Sequence, residues 1–398
     1  CGAIGKARHV LDELNFQDAV SWNALMTGYC QHESGYEALT CFHQMQQQGL
    51  FPDAVTFSSI LKACGTVGAT RKGKEIHTRI SKEWLPAENN LLGNALVDMY
   101  AKCGALTNAE GVFHDLSKRD TISWNALITG YAQHWHSEEA INCFEEMQRE
   151  GLFPDAITFA CILKSCGNLG AAERGEEIHA RIVREGLLET NNVLGNALVD
   201  MYAKCGVLDK ACQVFDQLPV RDIISWNALI AGYCQHGQSE ETLKCFEQMQ
   251  YERLSPDSMT FACILRACGS IGAIEKGKEI HDEIVRKSLL GEDSVLWNAL
   301  IDMYAKCGEL VKAQEVFDEL PVRGVVSWTA LIAGYAQHGH AGEALDLFER
   351  MQGEGFCPDS VTFLCILKAC SSIGAADKGE KIHEAIIREG LLGKDSLL

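Results

Sequence analysis

Apolar residues along this chain fall at helical spacing and nowhere alternate as strand residues do. Leu92, Ala95, Leu96, Met99 and Tyr100 stand at i, i+3, i+4, i+7 and i+8, the stripe of a helix buried along one face. Cys103-Gly104 follows, where a glycine can close the helix, and a second helix is predicted from about Leu106 to Leu116. Upstream, Ser21 is the expected N-cap of a helix reaching His32. A helix over Tyr36 to Gln48 then ends at Gly49, and Pro52 prevents its continuation.

This pattern returns every 102 residues. Trp22, Trp124, Trp226 and Trp328 keep that interval, as do Pro52, Pro154, Pro256 and Pro358, Cys103, Cys205 and Cys307, and His77, His179, His281 and His383. A period without insertion or deletion implies an array in which each unit packs on the next. Three related segments share each period, opening at Ser21-Trp22-Asn23, Thr56-Phe57-Ser58 and Gly93-Asn94-Ala95. Cutting after each loop Asp or Asn gives units 19–53, 54–89 and 90–120, of 35, 36 and 31 residues. The series continues as 121–155, 156–191, 192–222, 223–257, 258–293, 294–324, 325–359 and 360–395, with a partial unit at 1–18 and a new one opening at 396–398. Each unit reads as two helices and a tight turn. The expected fold is all-α: a solenoid of stacked hairpins whose first helices line the concave face.

Composition narrows the setting. Hydrophobic content of 47% can fill a continuous core, yet no apolar run approaches the roughly 20 residues of a membrane span. The eighteen Cys recur as single helix-face residues such as Cys143 and Cys245, or as the pairs Cys161/Cys166, Cys263/Cys268 and Cys365/Cys370. The first copy has Ser59 where later copies have the first Cys of the pair, which argues for buried free thiols and a reducing compartment.

Units of 35, 36 and 31 residues in rotation, with SWNALITGYAQH, FPDAITFACILKSCG and LGNALVDMYAKCG, resemble the pentatricopeptide repeat family, and within it the plant subclass in which P, L and S repeats alternate. The resemblance covers the whole chain as eleven complete repeats. It implies a right-handed superhelix, single-stranded RNA as partner, one base per repeat, and service as the recognition tract of an organellar RNA-processing factor, in a chloroplast or mitochondrion, most often for C-to-U editing. No cofactor, membrane or DNA partner is expected. The chain opens in mid-repeat, Cys1 aligning with Cys103, so a tract of a longer protein without its targeting peptide is expected.

In the resembled family the fifth and last residues of a repeat read the base edge, and the apolar second residue sandwiches the base. Carried over, the P pairs are Asn23 with Asp53, Asn125 with Asp155, Asn227 with Asp257 and Thr329 with Asp359. The S pairs are Asn94 with Asp120, Asn196 with Asp222, and Asn298 with Gly324, which departs from the pattern. The sandwiching residues are Val20, Leu91, Ile122, Val193, Ile224, Val295 and Val326, and Lys102, Lys204 and Lys306 are the phosphate contacts. Asn with Asp is assigned uracil and Thr with Asp guanine, giving 5′-U-x-U-U-x-U-U-x-(U?)-G-x-3′. The L units have Ser58, Ala160, Ala262 and Leu364 at the fifth position, three of them unable to hydrogen-bond through the side chain, so these repeats space the strand or meet a partner such as multiple organellar RNA editing factor proteins.

The net charge of −19 runs against phosphate binding, but its distribution does not. The P first helices contain no acid, the L first helices each carry Lys62, Lys164, Arg266 or Lys368, and the S first helices pair Asp98, Asp200 and Asp302 with Lys102, Lys204 and Lys306. Acids such as Glu138, Glu139, Glu145 and Glu146 lie in second helices.

Other readings stand beside these. The repeated Asn could satisfy neighbouring backbone, and Asp after Pro is common in turns. The seven apolar residues could be core, and the lysines could be solvated helix ends. The Trp, Tyr and His series read first as packing. A change to Thr329 while Ser327, Trp328, Ala330 and Leu331 stay fixed favours base reading. Catalysis finds no support: His281-Asp282-Glu283 matches half of a zinc deaminase signature, but the sequence contains no C-x-x-C. The rival reading is a protein-binding scaffold of the tetratricopeptide type.

Overall fold

The computed structural model describes residues 2–13, 18–83, 90–188, 191–291 and 294–388, and every regular element among them is an α-helix. Cys1 and the unit expected to open at 396–398 lie outside the described residues. The chain divides into two compact units, Cys1–Val207 and Leu208–Leu398. The first contains α1 (Gly2–Glu13), α2 (Ala19–Gln31), α3 (Gly35–Gln47), α4 (Ala54–Thr66), α5 (Thr70–Glu83), α6 (Asn90–Lys102), α7 (Leu106–Asp115), α8 (Thr121–Gln133), α9 (Ser137–Arg149), α10 (Ala156–Leu169), α11 (Ala172–Arg184) and α12 (Asn192–Lys204). The second contains α13 (Leu208–Gln217), α14 (Ile223–Gln235), α15 (Ser239–Tyr251), α16 (Ser258–Ile271), α17 (Ile274–Arg286), α18 (Ser294–Lys306), α19 (Leu310–Glu319), α20 (Val325–Gln337), α21 (Ala341–Gly353), α22 (Ser360–Ser372) and α23 (Ala376–Arg388).

Helix starts differ from expectation in one instructive way. Asp18, not Ser21, caps α2: its backbone is extended (φ −112°, ψ 171°) and its Oδ1 accepts from the Ser21 amide at 2.8 Å. A carboxylate outcompetes a hydroxyl here, because it accepts a charge-assisted bond and sits at the positive end of the helix dipole. The arrangement recurs as a capping box at Asp53–Thr56, Asp120–Ser123, Asp155–Thr158, Asp222–Ser225 and Asp257–Thr260. Ends shift by one residue: α2 stops at Gln31 with His32 as its C-cap, α3 spans Gly35–Gln47, and α7 ends at Asp115. Gly49 and Gly104 take the left-handed turns expected of them (φ 75° and 72°).

Packing within each unit is serial. In the first, α2, α4, α6, α8, α10 and α12 stack side by side, and in the second α14, α16, α18, α20 and α22 do the same. The intervening helices pack behind them, each against the first helix that follows. This is the two-layered α-solenoid. The core lies between the layers. Trp124 meets Phe113 edge-on at 4.6 Å between centroids, Trp226 meets Phe215 at 4.5 Å, and Trp328 meets Phe317 at 4.6 Å. All four repeated tryptophans are buried, so they are core anchors and not surfaces on which anything stacks. Tyr100, Tyr202 and Tyr304 are buried too, their hydroxyls 2.9–3.0 Å from Nδ1 of His77, His179 and His281. At Gly130 a Cβ would stand 2.5 Å from Ala101 Cβ, so a bare backbone there lets α6 and α8 approach.

Thiols are largely withdrawn from solvent. Cys64, Cys166 and Cys268 are buried, and burial pushes the Cys64 thiol up to about 12 and those of Cys166 and Cys268 to about 11. Cys161, Cys263 and Cys365, expected to be buried, are half-buried, and Cys357 is exposed.

Candidate functional site

The register of the solenoid brings the fifth residue of one first helix against the N-cap of the next. Asn23 donates its amide to both carboxylate oxygens of Asp53, at 3.0 and 3.1 Å, and Asn94 does the same to Asp120, at 3.1 and 3.2 Å. Asn125 donates to Asp155 Oδ2 at 2.8 Å, and Asn227 to Asp257 Oδ2 at 2.7 Å. The same carboxylates accept from the backbone amides of Thr56, Ser123, Thr158 and Thr260 at 2.8–2.9 Å. Each Asp is therefore a local cap and the hydrogen-bond partner of an Asn at once. Burial alone would raise the Asp53 carboxyl, but hydrogen bonds from the Thr56 backbone and hydroxyl and from Asn23 outweigh it and hold the group below its ordinary value.

A third side chain joins each P pair, and sequence reasoning missed it. Oγ1 of Thr56 donates to Asn23 Oδ1 at 2.7 Å, and Thr158 and Thr260 donate to Asn125 and Asn227 at 2.5 Å. The signal was present as Asp-x-x-Thr at every L helix start. At the S pair Asn94–Asp120 the equivalent Ser123 donates instead to its own cap carbonyl, Asp120 O, at 2.8 Å. Asn94 Oδ1 is left buried with no partner among the described residues. Asn196 is buried on α12, and Asp222 caps α14. Gly324 caps α20 with extended backbone and offers Asn298 no carboxylate. In the variant copy Thr329 is buried, its Oγ1 2.7 Å from Thr362 Oγ1, which in turn donates to Asp359 Oδ1 at 2.7 Å.

The seven apolar second residues are not core: Val20, Leu91, Ile122, Val193, Ile224, Val295 and Val326 are 44–71% exposed. In the first unit Leu91, Asn94, Ile122, Asn125, Asp155 and Lys62 line one open cleft of about 530 Å³, so three successive repeats face a single concavity. Charge in this face is unevenly engaged. Lys102, Lys204 and Lys306 hold Asp98, Asp200 and Asp302 one turn back at 2.7–2.8 Å. Lys62, Lys164, Arg266 and Lys368 are exposed and form no ion pair among the described residues.

A stack of helical hairpins in which exposed aliphatic side chains recur beside polar pairs defines a helical-repeat binding protein. The model described as "PPR repeat family" matches residues 17–66, 119–168, 221–270 and 323–372, and that described as "PPR repeat" matches 94–120, 196–223 and 295–325. The chain belongs to the PPR (pentatricopeptide) repeat family. Among similar proteins, a chloroplastic pentatricopeptide repeat-containing protein of Arabidopsis thaliana is 36% identical, over 96% of this chain and 44% of its own. A mitochondrial one from the same plant is 39% identical, over 97% and 38%. The chain spans about half the length of the curated relatives it matches, from 44% to 60% of the first four. The crystal structure of maize PPR10 superposes with a TM-score of 0.64 at 22% identity, covering 98% of this chain and 62% of that one. PPR10 in complex with an 18-nt psaJ RNA element gives 0.71 at 19% identity, covering 97% and 62%. At these identities the likeness concerns the fold.

Proposed function

We propose that this chain is a sequence-specific reader of single-stranded RNA, one base per P or S repeat, and that it belongs to the plant subclass in which P, L and S repeats alternate. The observation that carries the reading is the coincidence, at every such register except that of Asn298 and Gly324, of an exposed branched aliphatic residue with a polar pair just inside the helix start. Exposed Ile122 beside Asn125–Asp155 costs apolar hydration unless a base covers it. An Asn amide has two N–H donors, and Asp occupies one, leaving the other for a pyrimidine carbonyl. At Thr329–Asp359 the hydroxyl chain runs from Thr329 through Thr362 to the carboxylate, so the pair turns acceptors outward and suits the N1–H and N2–H donors of guanine. The order then is 5′-U-x-U-U-x-U-U-x-(U?)-G-x-3′, amino end toward the 5′ side.

Phosphate contacts fall first to Lys62, Lys164, Arg266 and Lys368, whose charge is not spent on a neighbouring carboxylate, and second to Lys102, Lys204 and Lys306. An acid-poor face on a chain of net charge −19 makes base contacts carry more of the selectivity than charge does. The whole protein serves in a chloroplast or mitochondrion, as its relatives' names support, and this chain is the recognition tract of a C-to-U editing factor. A gel-shift comparison of RNA of the stated order with its purine complement tests the reading. Preference for the first supports it, and equal binding, with capture of peptides instead, returns the chain to the scaffold class.

A further inference from the structure

We propose that Thr56, Thr158 and Thr260 are positioning residues that lock the amides of Asn23, Asn125 and Asn227 in one orientation, making P repeats sharper readers of a base than the S repeat built on Asn94. The inference rests on the base-reading function above.

An Asn amide can present either its oxygen or its nitrogen, and that choice decides which base edge it accepts. At the P pairs both ends are tied. The carboxylate of Asp53, Asp155 or Asp257 only accepts, so Nδ2 must face it. Oδ1 then points to the following helix, where the single proton of the threonine hydroxyl finds it at 2.5–2.7 Å, nearer than the cap carboxylate oxygen at 2.9–3.0 Å. That hydroxyl is itself held: Thr56 and Thr158 are fully buried, the β-methyl restricts χ1, and the oxygen accepts the cap amide of Asp53 and Asp155 at 3.1 Å.

The S pair lacks this frame. A 31-residue unit brings Ser123 to the same place in the helix, but its hydroxyl turns to Asp120 O, and Asn94 Oδ1 stays buried without a donor. An orphaned buried acceptor favours any rotation that finds it a partner. Asp120 still holds Nδ2 of Asn94, but its Oδ1 is untied, so the amide is restrained at one end only, and a reader with a looser acceptor distinguishes uracil from cytosine less sharply. Preorganised side chains discriminate more strongly, because no conformational adjustment offsets a mismatch.

The test uses the full chain and RNA of the stated order with adenine at each x. Single U-to-C changes are made at the third, fourth and seventh nucleotides, which face Asn94, Asn125 and Asn227. The loss of affinity should be about fivefold greater at the fourth than at the third, the scale of one hydrogen bond. Thr158→Val, which removes the hydroxyl and keeps the shape, should bring the fourth-nucleotide penalty down to that of the third while leaving the seventh unchanged. Thr158→Ser, which keeps the hydroxyl, should preserve most of it. A merely structural threonine would weaken every RNA alike and leave the ratios as they were. Equal penalties at the third and fourth nucleotides of the unaltered chain, or an undiminished ratio in Thr158→Val, overturn the positioning role and leave base reading standing. No penalty at any of the three overturns both.

Discussion

Replacing Thr329 with Asn converts the one divergent P repeat to the pattern of its sisters, and the structure says what that should do. Thr329 is buried, with Thr362 Oγ1 at 2.7 Å and Asp359 within reach of Thr362 but not of Thr329 itself. In the sister repeat Asn227 fills the equivalent place, donating to Asp257 at 2.7 Å and accepting from Thr260 at 2.5 Å. The neighbours Trp328 and Leu331 match Trp226 and Leu229, and all four are buried, so the larger side chain has a ready site. Stability should change by less than about 0.5 kcal/mol, the scale of a substitution that disturbs no packing. Readout should change far more. An acceptor facing guanine N1–H becomes a donor facing a donor, which costs about 1–3 kcal/mol. Across RNAs that differ only at the tenth nucleotide, the G-to-U ratio should fall by roughly 5- to 150-fold, measured by fluorescence anisotropy at one ionic strength. An unchanged ratio together with unchanged helicity by circular dichroism would refute the reasoning and return Thr329 to a structural role.

Four further outcomes are expected. Asp155→Ala removes a cap and should cost about 1 kcal/mol in thermal or urea unfolding, whereas Asp155→Asn keeps the cap and should alter base preference more than stability; equal destabilisation by both would contradict the dual role. Lys62→Ala should lower the slope of log affinity against log salt by about one, and Lys102→Ala by less, because Asp98 already holds that ammonium; the opposite ranking would reassign the phosphate contacts. Burial pushes the Cys64 and Cys166 thiols up to about 12 and about 11, so mass spectrometry of native protein should show both alkylating slowly and exposed Cys357 quickly, and a native disulfide would contradict it. Burial also holds the His77 and His281 imidazoles below their ordinary 6.5. Protons then favour the unfolded chain: this contribution is complete above the unfolded value of about 6.5 and is lost as pH falls from there through the lower folded value, so the thermal midpoint should drop on acidification, less steeply in His281→Phe. A midpoint that rises instead refutes the sign.

Much of the architecture is legible from spacing, because a repeat shows each interaction several times. The stripe Leu92, Ala95, Leu96, Met99 and Tyr100 names one helix, and copies of Trp22 at 102-residue intervals name the stack. Caps are harder. Ser21 and Asp18 are both good capping residues, and only backbone geometry shows that Asp18 stands outside the helix while Ser21 is its third residue. Exposure of Val20 and Ile122 does not follow from spacing, since a branched aliphatic two residues before a buried Trp can equally be core, and only the resemblance points these residues toward a base. The Thr158 contact depends on distance between two helices, Asn125 and Thr158 being 33 residues apart, and periodicity cannot supply a distance.

Because Asp53, Asp120, Asp155 and Asp257 each begin a helix, the alphabet open to that position is restricted before any ligand is considered. A residue there must tolerate extended backbone and accept an amide proton, which admits Asp, Asn, Ser and Thr, and Gly at a cost of a few tenths of a kcal/mol. Gly324 shows the permissive end of that set, starting α20 without a side chain. The fifth position has no such duty, as Asn227 and Thr329 show on otherwise matching helices. If these pairs read bases as proposed, retargeting of such a chain over evolutionary time should run mainly through the fifth residue, with the last residue drifting only among helix starters, so that folding limits the vocabulary and selection chooses the words.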